Sequence, residues 1–593
     1  MRILSLLAVL LLPLTATAQP PKATPGNRLA YLDDLDPYYP HAKFPKLITP
    51  QWVGEPDVDA VVILAIDDMR DPKKYETFLR PILNRLKKID GRAPVSIMTC
   101  NVDPHDPQLQ SWLKEGLSLE CHTVDHPCPY FKPGFDKAKD TYDRCVDLMH
   151  AIPGNKPVAF RMPCCDSLNT PSPRHWAGIF DQETHEGNYL SLDSSVFMVY
   201  TSDDPELPKE LVLDYGKERF KKYLPADRDF VNWIENYPYP YRIGKHCWQF
   251  PCMTPSDWQA QHLHKPNNPL TVRDWKAALD CTVVKKGVFT MVFHPHGWIK
   301  AEQIIELIDH AVEKHGKKVK FLTFKEASER IDTLFWVMQG GRDRSMFMDL
   351  NNDGFLDIVN RFTLETVIWG GRPSTRPFGD WKMPKSFPTF NTPRIHLPVV
   401  GDQEKGIRFG VFEKSGVASF VATDRDMGGY SQAIRSFTNG NEGKTASRIF
   451  QAPDCAIYRS LDLDGDGICE IIDRRGNIYA YDPKGCKKLP FTLPTRYVAS
   501  LKFLDLNGDG KLDLVFSNEK EYGVYLFVDM QTGWKKLRAG KAGDANAIPM
   551  IARNGKNNGC FAHSGHLWWA NEDTVLLKNH VDKRSYKELL EQK

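Results

Sequence analysis

The sequence predicts a multi-domain protein, with an α/β domain on a parallel sheet followed by an all-β domain of propeller-like repeats. Three observations carry this expectation. Up to about residue 334, short apolar runs alternate with helical stretches, the pattern of a parallel α/β barrel or a doubly wound sheet. From about residue 335 the chain changes to short strands and Gly turns, and one Asp- and Gly-rich motif occurs three times. The chain also has 593 residues, 41% hydrophobic and 26% charged, which is more than one core organises.

The first residues, MRILSLLAVLLLPLTATAQP, hold one Arg, an apolar stretch from Ile3 to Leu14 and small residues at Ala16 and Ala18. This reads as a secretory signal over residues 1–18, too short to span a bilayer. No later stretch is long and apolar enough to cross a membrane, so a secreted or periplasmic protein is expected. A Pro-rich leader over 19–51 comes before the α/β domain, placed at 52–335. Lys plus Arg (77) nearly balance Asp plus Glu (75), which removes any charge-based case for nucleic acid. Thirteen cysteines in an exported chain predict disulfides, with at least one thiol left over. Cys247 and Cys252 are spaced to close a small loop, whereas the adjacent Cys164 and Cys165 are expected to have separate partners or stay free.

Within the α/β domain the strand candidates are Val61–Ile66, Val95–Thr99, Leu117–Cys121, Val158–Phe160 and Val288–Phe293, with helices such as Tyr75–Lys88 and Gln303–Lys314 between them. Residues 200–280, rich in Pro, Tyr and Trp, read as a long insertion. The chemistry gathers at strand ends, where parallel α/β sheets place function. VVILAIDDMRD ends a buried strand in Asp67 and Asp68, two adjacent carboxylates that repel unless a positive group lies beside them. A solvated turn or helix cap is the ordinary reading of such a pair. CHTVDHPCP places His122 and His126 four apart, on one face if the segment is helical. Two histidines and a carboxylate leave coordination positions open for water and substrate, and a second carboxylate can accept a proton. Arg161, in VAFRMPCCDS, can hold a carboxylate ionised and oriented. GVFTMVFHPHGW ends a strand in His294 and His296, either able to protonate a leaving group; Pro295 favours His294 as the residue the sheet holds.

On these motifs, in this order, the stretch from about Asp57 to Ile331 resembles the polysaccharide deacetylases of carbohydrate esterase family 4, with the NodB-homology fold. The resemblance implies a distorted (β/α)7 barrel. It implies Asp67 as general base, Asp68, His122 and His126 holding zinc or a similar divalent ion, Arg161 orienting Asp67, and His294 as general acid. It also implies that the Cys164 backbone N–H stabilises the oxyanion, and it matches Asp193 in SLDSSVF to the polar residue of the family's fourth motif. The sequence departs from the family in AIDDMRD and RMPCC, residues that bear on the substrate more than on the metal site.

The C-terminal region, 336–593, carries DLNNDGFLDIVN, DLDGDGICEIID and DLNGDGKLDLVF. Oxygen ligands stand at positions 1, 3, 5 and 9: Asp349, Asn351, Asp353 and Asp357; Asp462, Asp464, Asp466 and Glu470; Asp505, Asn507, Asp509 and Asp513. An oxygen-only set of this kind suits calcium. No repeat has Glu at position 12, and the following residues alternate as strands, so an EF-hand is not expected. The repeats resemble the FG-GAP type of integrin-like β-propellers. The function expected is therefore an exported metal-dependent deacetylase acting on a polysaccharide or cell-wall glycan, with zinc at one site and calcium in the repeats. The alternatives are an adhesion or glycan-binding protein with a silent barrel, and a C–N hydrolase of a small molecule.

Overall fold

A computed structural model of the chain describes residues 36–38, 53, 55, 57–244, 247–335, 345–348, 357–360, 366–367, 408–416, 418–424, 431–436, 445–451, 457–482 and 485–591. The expected signal, residues 1–18, lies outside the described residues, as do Asp349, Asn351 and Asp353.

The first strand, β1 (Ala60–Met69), organises the α/β domain. Its apolar residues alternate between two buried clusters. Val62, Leu64 and Ile66 pack outward under helix α1 (Pro72–Asp90), against Leu79, Ile82 and Leu83. Val61, Ile63 and Ala65 point inward to Met98, Trp248 and Phe324. A strand covered on both faces has no polar side, which is why this run is apolar without interruption. Asp71, the third acid of the opening motif, caps α1: its carboxylate accepts from the N–H groups of Lys73 and Lys74, each at 3.1 Å, ahead of Pro72 at the first turn.

The remaining strands of this sheet are β2 (Val95–Thr99), β3 (Ser118–Cys121), β4 (Ala159–Phe160), β5 (Leu192–Asp193), β6 (Phe197–Val199), β7 (Trp233–Glu235), β8 (Tyr241–Ile243), β9 (Cys247–Gln249), β10 (Cys252–Met253), β11 (Val288–Phe293) and β12 (Val319–Phe321). The order is β8-β9-β5-β4-β3-β2-β1-β11-β10-β6-β7, with β12 also paired to β1. All pairs are parallel except β8–β9. Helices α2 (Pro107–Glu115), α3 (Phe135–Ala151), α4 (Asp257–His264), α5 (Pro269–Lys285), α6 (Ala301–His310) and α7 (Phe324–Phe335) supply most of the connections. This curved parallel sheet fits a NodB-like barrel, and its ordered pairing stops at β7 and β8 rather than closing.

Residues 200–280, read from sequence as an insertion or loop excursion, contribute strands to the main sheet. Strands β7, β8, β9 and β10 join the main sheet from this stretch, and β10 sits between β6 and β11. Short strands rich in Pro, Tyr and Trp broke the sequence rhythm without leaving the core. The disulfide expectation is also corrected, because Cys247 and Cys252 are free and buried. They lie on β9 and β10, two different strands of the sheet that are not paired with each other. Cys164 is bonded to Cys128 and Cys165 is free.

The C-terminal strands form successive antiparallel sheets. Three four-stranded sheets run over 408–451, 457–492 and 501–541, flanked by a three-stranded sheet at 345–367 and smaller sheets at 552–585. Two motif loops touch: the Leu512 N–H donates to the Leu463 carbonyl at 2.9 Å.

The last part of this region packs against the α/β domain. Phe561, Trp568, Ala570, Val575 and Val581 belong to the same buried cluster as the outer layer of the barrel. Ser172 Oγ donates to the Ala570 carbonyl at 2.7 Å, and the Arg174 guanidinium donates to both oxygens of Glu572 while lying 3.8 Å from the Phe135 ring centroid. Residues 36–38, placed in a leader by sequence, are wedged into the same seam. The Tyr38 ring lies 4.7 Å from Phe561, and its hydroxyl donates to the Pro171 carbonyl at 2.8 Å.

Candidate active site

The two adjacent acids are presented by a bulge. Along β1 and β2, Ile66 pairs with Ile97 but Met69 pairs with Thr99, so β1 carries one extra residue across Asp67–Asp68. Regular alternation would send the two carboxylates to opposite faces; a bulge re-aims a side chain, and Asp68 adopts φ 70° to do so. Both acids thereby reach one site. Left-handed backbone also occurs at Thr123, His126 and Cys164, in the segments that carry the other motifs.

Asp67 is buried, and its carboxylate accepts from Arg161 Nη1 at 2.7 Å. The guanidinium is fully enclosed, its other donors going to the Ser194 carbonyl (2.8 Å) and Ser194 Oγ (3.0 Å). Burial opposes its charge, yet the Asp67 carboxylate keeps Arg161 above its ordinary range. Removing either partner of such a pair strands a buried charge, at a cost of about 3–5 kcal/mol. Tyr75, from α1, donates to the Asp67 carbonyl and fixes the bulge from behind.

Asp68 faces the two histidines. The segment around them is a loop between β3 and α3, not the helical turn the four-residue spacing suggested. His122 Nε2 and His126 Nε2 lie 3.2 and 2.7 Å from Asp68 Oδ1. Asp68, His122 and His126 place one donor atom each within 4.8 Å of one another. His122 Nδ1 donates to the Arg161 carbonyl at 2.8 Å, which in the neutral ring leaves a lone pair on Nε2 aimed at a carboxylate oxygen. Asp68 Oδ1 is buried with no hydrogen bond. Lone pair against lone pair at an orphaned oxygen is the environment a cation satisfies, and a two-histidine, one-carboxylate donor set suits zinc.

His294, at the end of β11, has a partner that sequence reasoning missed. Asp257, the first residue of α4, accepts from the His294 backbone N–H through one oxygen and pairs with Nδ1 through the other, both at 2.7 Å. Burial works against the imidazolium, but Asp257 pushes His294 up to about 10. The local signal was the capping box Ser256–Gln259, which opens α4 and sets Asp257 in its first turn. Asp193 is corrected accordingly. Its carboxylate is taken up by the Ser195 N–H (2.9 Å) and Oγ (2.8 Å), and burial pushes it up to about 7. It braces the strand that presents Ser194 to Arg161 and does not join the cluster.

His296 stands closer to Asp68 than the loop reading implied. Its Nε2 is 2.9 Å from Asp68 Oδ2, whereas His294 Nε2 is 4.0 Å away. Lys74 holds the His296 Nδ1 side at 3.1 Å. Cys164 follows Arg161 in a turn whose carbonyl accepts the N–H groups of Ser167, Leu168 and Asn169. Its disulfide to Cys128 ties that turn to the loop carrying His126.

Among the calcium candidates, Asp462, Asp464 and Glu470 bring donor oxygens within 4.8 Å of one another. Asp462 also accepts from the Gly465 and Gly467 N–H groups, and Asp505 from those of Gly508, Asp509 and Gly510. Asp466, Asn507 and Asp509 accept loop N–H groups in the same way, and Asp513 accepts from Leu506 and Phe527. Asp357 opens a strand, Asp357–Asn360.

With this geometry in place, similarity to known proteins bears on it. Residues 54–171 match the polysaccharide deacetylase family. The matched stretch takes in Asp67, Asp68, His122, His126 and Arg161; Asp257 and His294 lie beyond it and join them through the fold. No curated protein matches the chain by sequence. Similar solved structures include the peptidoglycan deacetylase PdaC from Bacillus subtilis, at 15% identity over 46% of this chain and 93% of that one, TM-score 0.24. The catalytic domain of the peptidoglycan N-acetylglucosamine deacetylase from Eubacterium rectale ATCC 33656 has 13% identity over 48% and 94%, TM-score 0.25. Puue allantoinase has 11% identity over 51% and 98%, TM-score 0.34.

Proposed function

We propose that the chain is an exported, metal-dependent deacetylase that removes acetyl groups from a polysaccharide, an N-acetylglucosamine polymer or an acetylated glycan. The observation that carries this reading is the Asp67–Arg161 ion pair set beside the Asp68, His122 and His126 cluster. Asp68, His122 and His126 would hold zinc, which when bound supplies Lewis acidity and lowers the pKa of water. Asp67, oriented by Arg161, accepts the proton of the attacking water. The Cys164 N–H, on its left-handed turn, is offered to the developing oxyanion. His294, held protonated by Asp257, donates to the leaving nitrogen or oxygen. Acetate release from chitin oligomers, peptidoglycan and acetylxylan tests the reading. Release from none of them by zinc-loaded protein would sink it.

His294→Ala is expected to lose far more turnover than His296→Ala, on the order of 10²- to 10⁴-fold, the usual worth of a positioned acid. Because Asp257 raises His294, the acid stays protonated until pH rises toward 10, and Asp257→Asn should bring the alkaline limb of kcat down in pH. An ion on Asp68 cancels the lift that carboxylate gives His294, so the wild-type limb lies below 10. A limb unmoved in Asp257→Asn assigns the acid elsewhere.

The C-terminal sheets are proposed as FG-GAP-type propeller blades whose loops bind calcium. Burial, with Asp464, Asp462 and Asp466 nearby, pushes the Glu470 carboxyl up to about 9, and burial pushes Asp513 up to about 6. A carboxyl raised on folding binds its proton in the native state while the unfolded chain has lost it. Without calcium, stability therefore falls as pH rises from the ordinary carboxylate range toward 9. Added calcium is expected to raise the melting temperature of the full chain at neutral pH and flatten this slope. Identical melting curves with calcium and with chelator contradict the calcium assignment.

A further inference from the structure

A second cluster lies at the opposite end of the sheet from Asp67. Asp280 sits in the last turns of α5, just ahead of β11, and His310 and His315 close α6, just ahead of β12. These are the entry ends of strands, whereas the candidate active site occupies the exit ends. His310 Nε2 and His315 Nε2 lie 2.9 and 2.7 Å from the same oxygen, Asp280 Oδ1. The three donor atoms fall within 4.8 Å of one another, and the side chains are 18%, 12% and 9% exposed in the order His310, His315, Asp280.

The backbone is arranged to make this meeting happen. In an α-helix, residues five apart point to different faces, because side chains repeat at three and four. Here α6 runs directly into a π turn, Ala311–His315, ended by Gly316 at φ 57°. A π turn closes i to i+5, so His315 returns to the face of His310. Such turns are uncommon and gather at functional sites. The two rings stand 5.9 Å apart, nearly perpendicular.

We propose that Asp280, His310 and His315 form a second site for a zinc-class divalent ion, tying α5 to the end of α6. The donor set repeats that of Asp68, His122 and His126, two imidazoles on one carboxylate oxygen. There is one telling difference. Where the active site has Asp67, this one has Lys314, whose Nζ is 2.8 Å from Asp280 Oδ2. An ammonium is no base for water and repels a bound cation, so the site clamps two helices and performs no hydrolysis. Lys314 is half exposed and can swing into solvent when an ion enters.

The test is zinc titration of the metal-stripped full chain in excess calcium, which keeps the oxygen-only loops filled. The wild type should take up two equivalents. His122→Ala/His126→Ala and His310→Gln/His315→Gln should each take up one, and zinc should still raise the melting temperature of the former. Full loss of zinc binding in His122→Ala/His126→Ala, or two equivalents retained in His310→Gln/His315→Gln, overturns the proposal by leaving only an ion-paired Asp280. Should the latter variant not fold, Lys314→Ala decides. Removing a hydrogen-bonded competing charge is expected to tighten the second site about tenfold, and an unchanged affinity overturns it.

Discussion

His122→Ala or His126→Ala is expected to strip the ion from the Asp68 site and reduce deacetylation to background while leaving the fold intact. With three protein ligands, losing one imidazole leaves two; the neighbouring His296 and His294 sit on Asp68 Oδ2 rather than the Oδ1 that His122 and His126 share, and Lys74 and Asp257 hold them. His126 stands partly exposed on a loop, and His122, though buried just after β3, is not part of the apolar cluster of β1 and α1, so truncating either removes no side chain of that core. Metal analysis of each variant, with a far-ultraviolet spectrum matching wild type, provides the check. An equivalent of ion retained at this site with normal turnover excludes the assignment.

Asp67→Asn is expected to keep the ion and lose turnover by on the order of 10²- to 10⁴-fold, since the base is removed while Asp68 remains. It should also lower the melting temperature, because the enclosed Arg161 guanidinium loses its countercharge. The two hydrogen bonds that Arg161 donates to Ser194 remain, which places the loss at the low end of about 3–5 kcal/mol. Turnover must therefore be compared well below the melting temperature. Ion lost in Asp67→Asn and kept in Asp68→Asn would exchange the two roles.

What could be read beforehand follows the range of the forces involved. The apolar run of β1 announces a strand buried on both faces, since each residue carries that information itself. The acids after it were legible as a site, but not the bulge that points both to one side. A bulge is a mismatch with β2, thirty residues away. The His122–His126 spacing suggested a helix where a loop stands, because distance to a shared carboxylate, not helical period, brings the rings together. Asp257 went unnoticed for the same reason. Its partner His294 is 37 residues on, and only the fold makes them adjacent. The Asp- and Gly-rich motifs are local and repeat, so they stand out, while the way the last strands pack against α3 and the loop after β4 leaves no pattern in the chain.

That seam also decides where the chain can be cut. A fragment ending near residue 335 would hold every proposed catalytic residue and look self-sufficient. It would also leave bare the surface that Phe561 and Trp568 now cover, forfeiting roughly 1.5–3 kcal/mol for each large apolar side chain uncovered. Arg174, thirteen residues beyond Arg161, would lose Glu572, and the loop after the Cys164 turn would lose its anchor at Ala570. A protein trimmed in this way should be sticky and sluggish for reasons of upholstery rather than chemistry, so the final strands are best regarded as the back wall of the α/β domain.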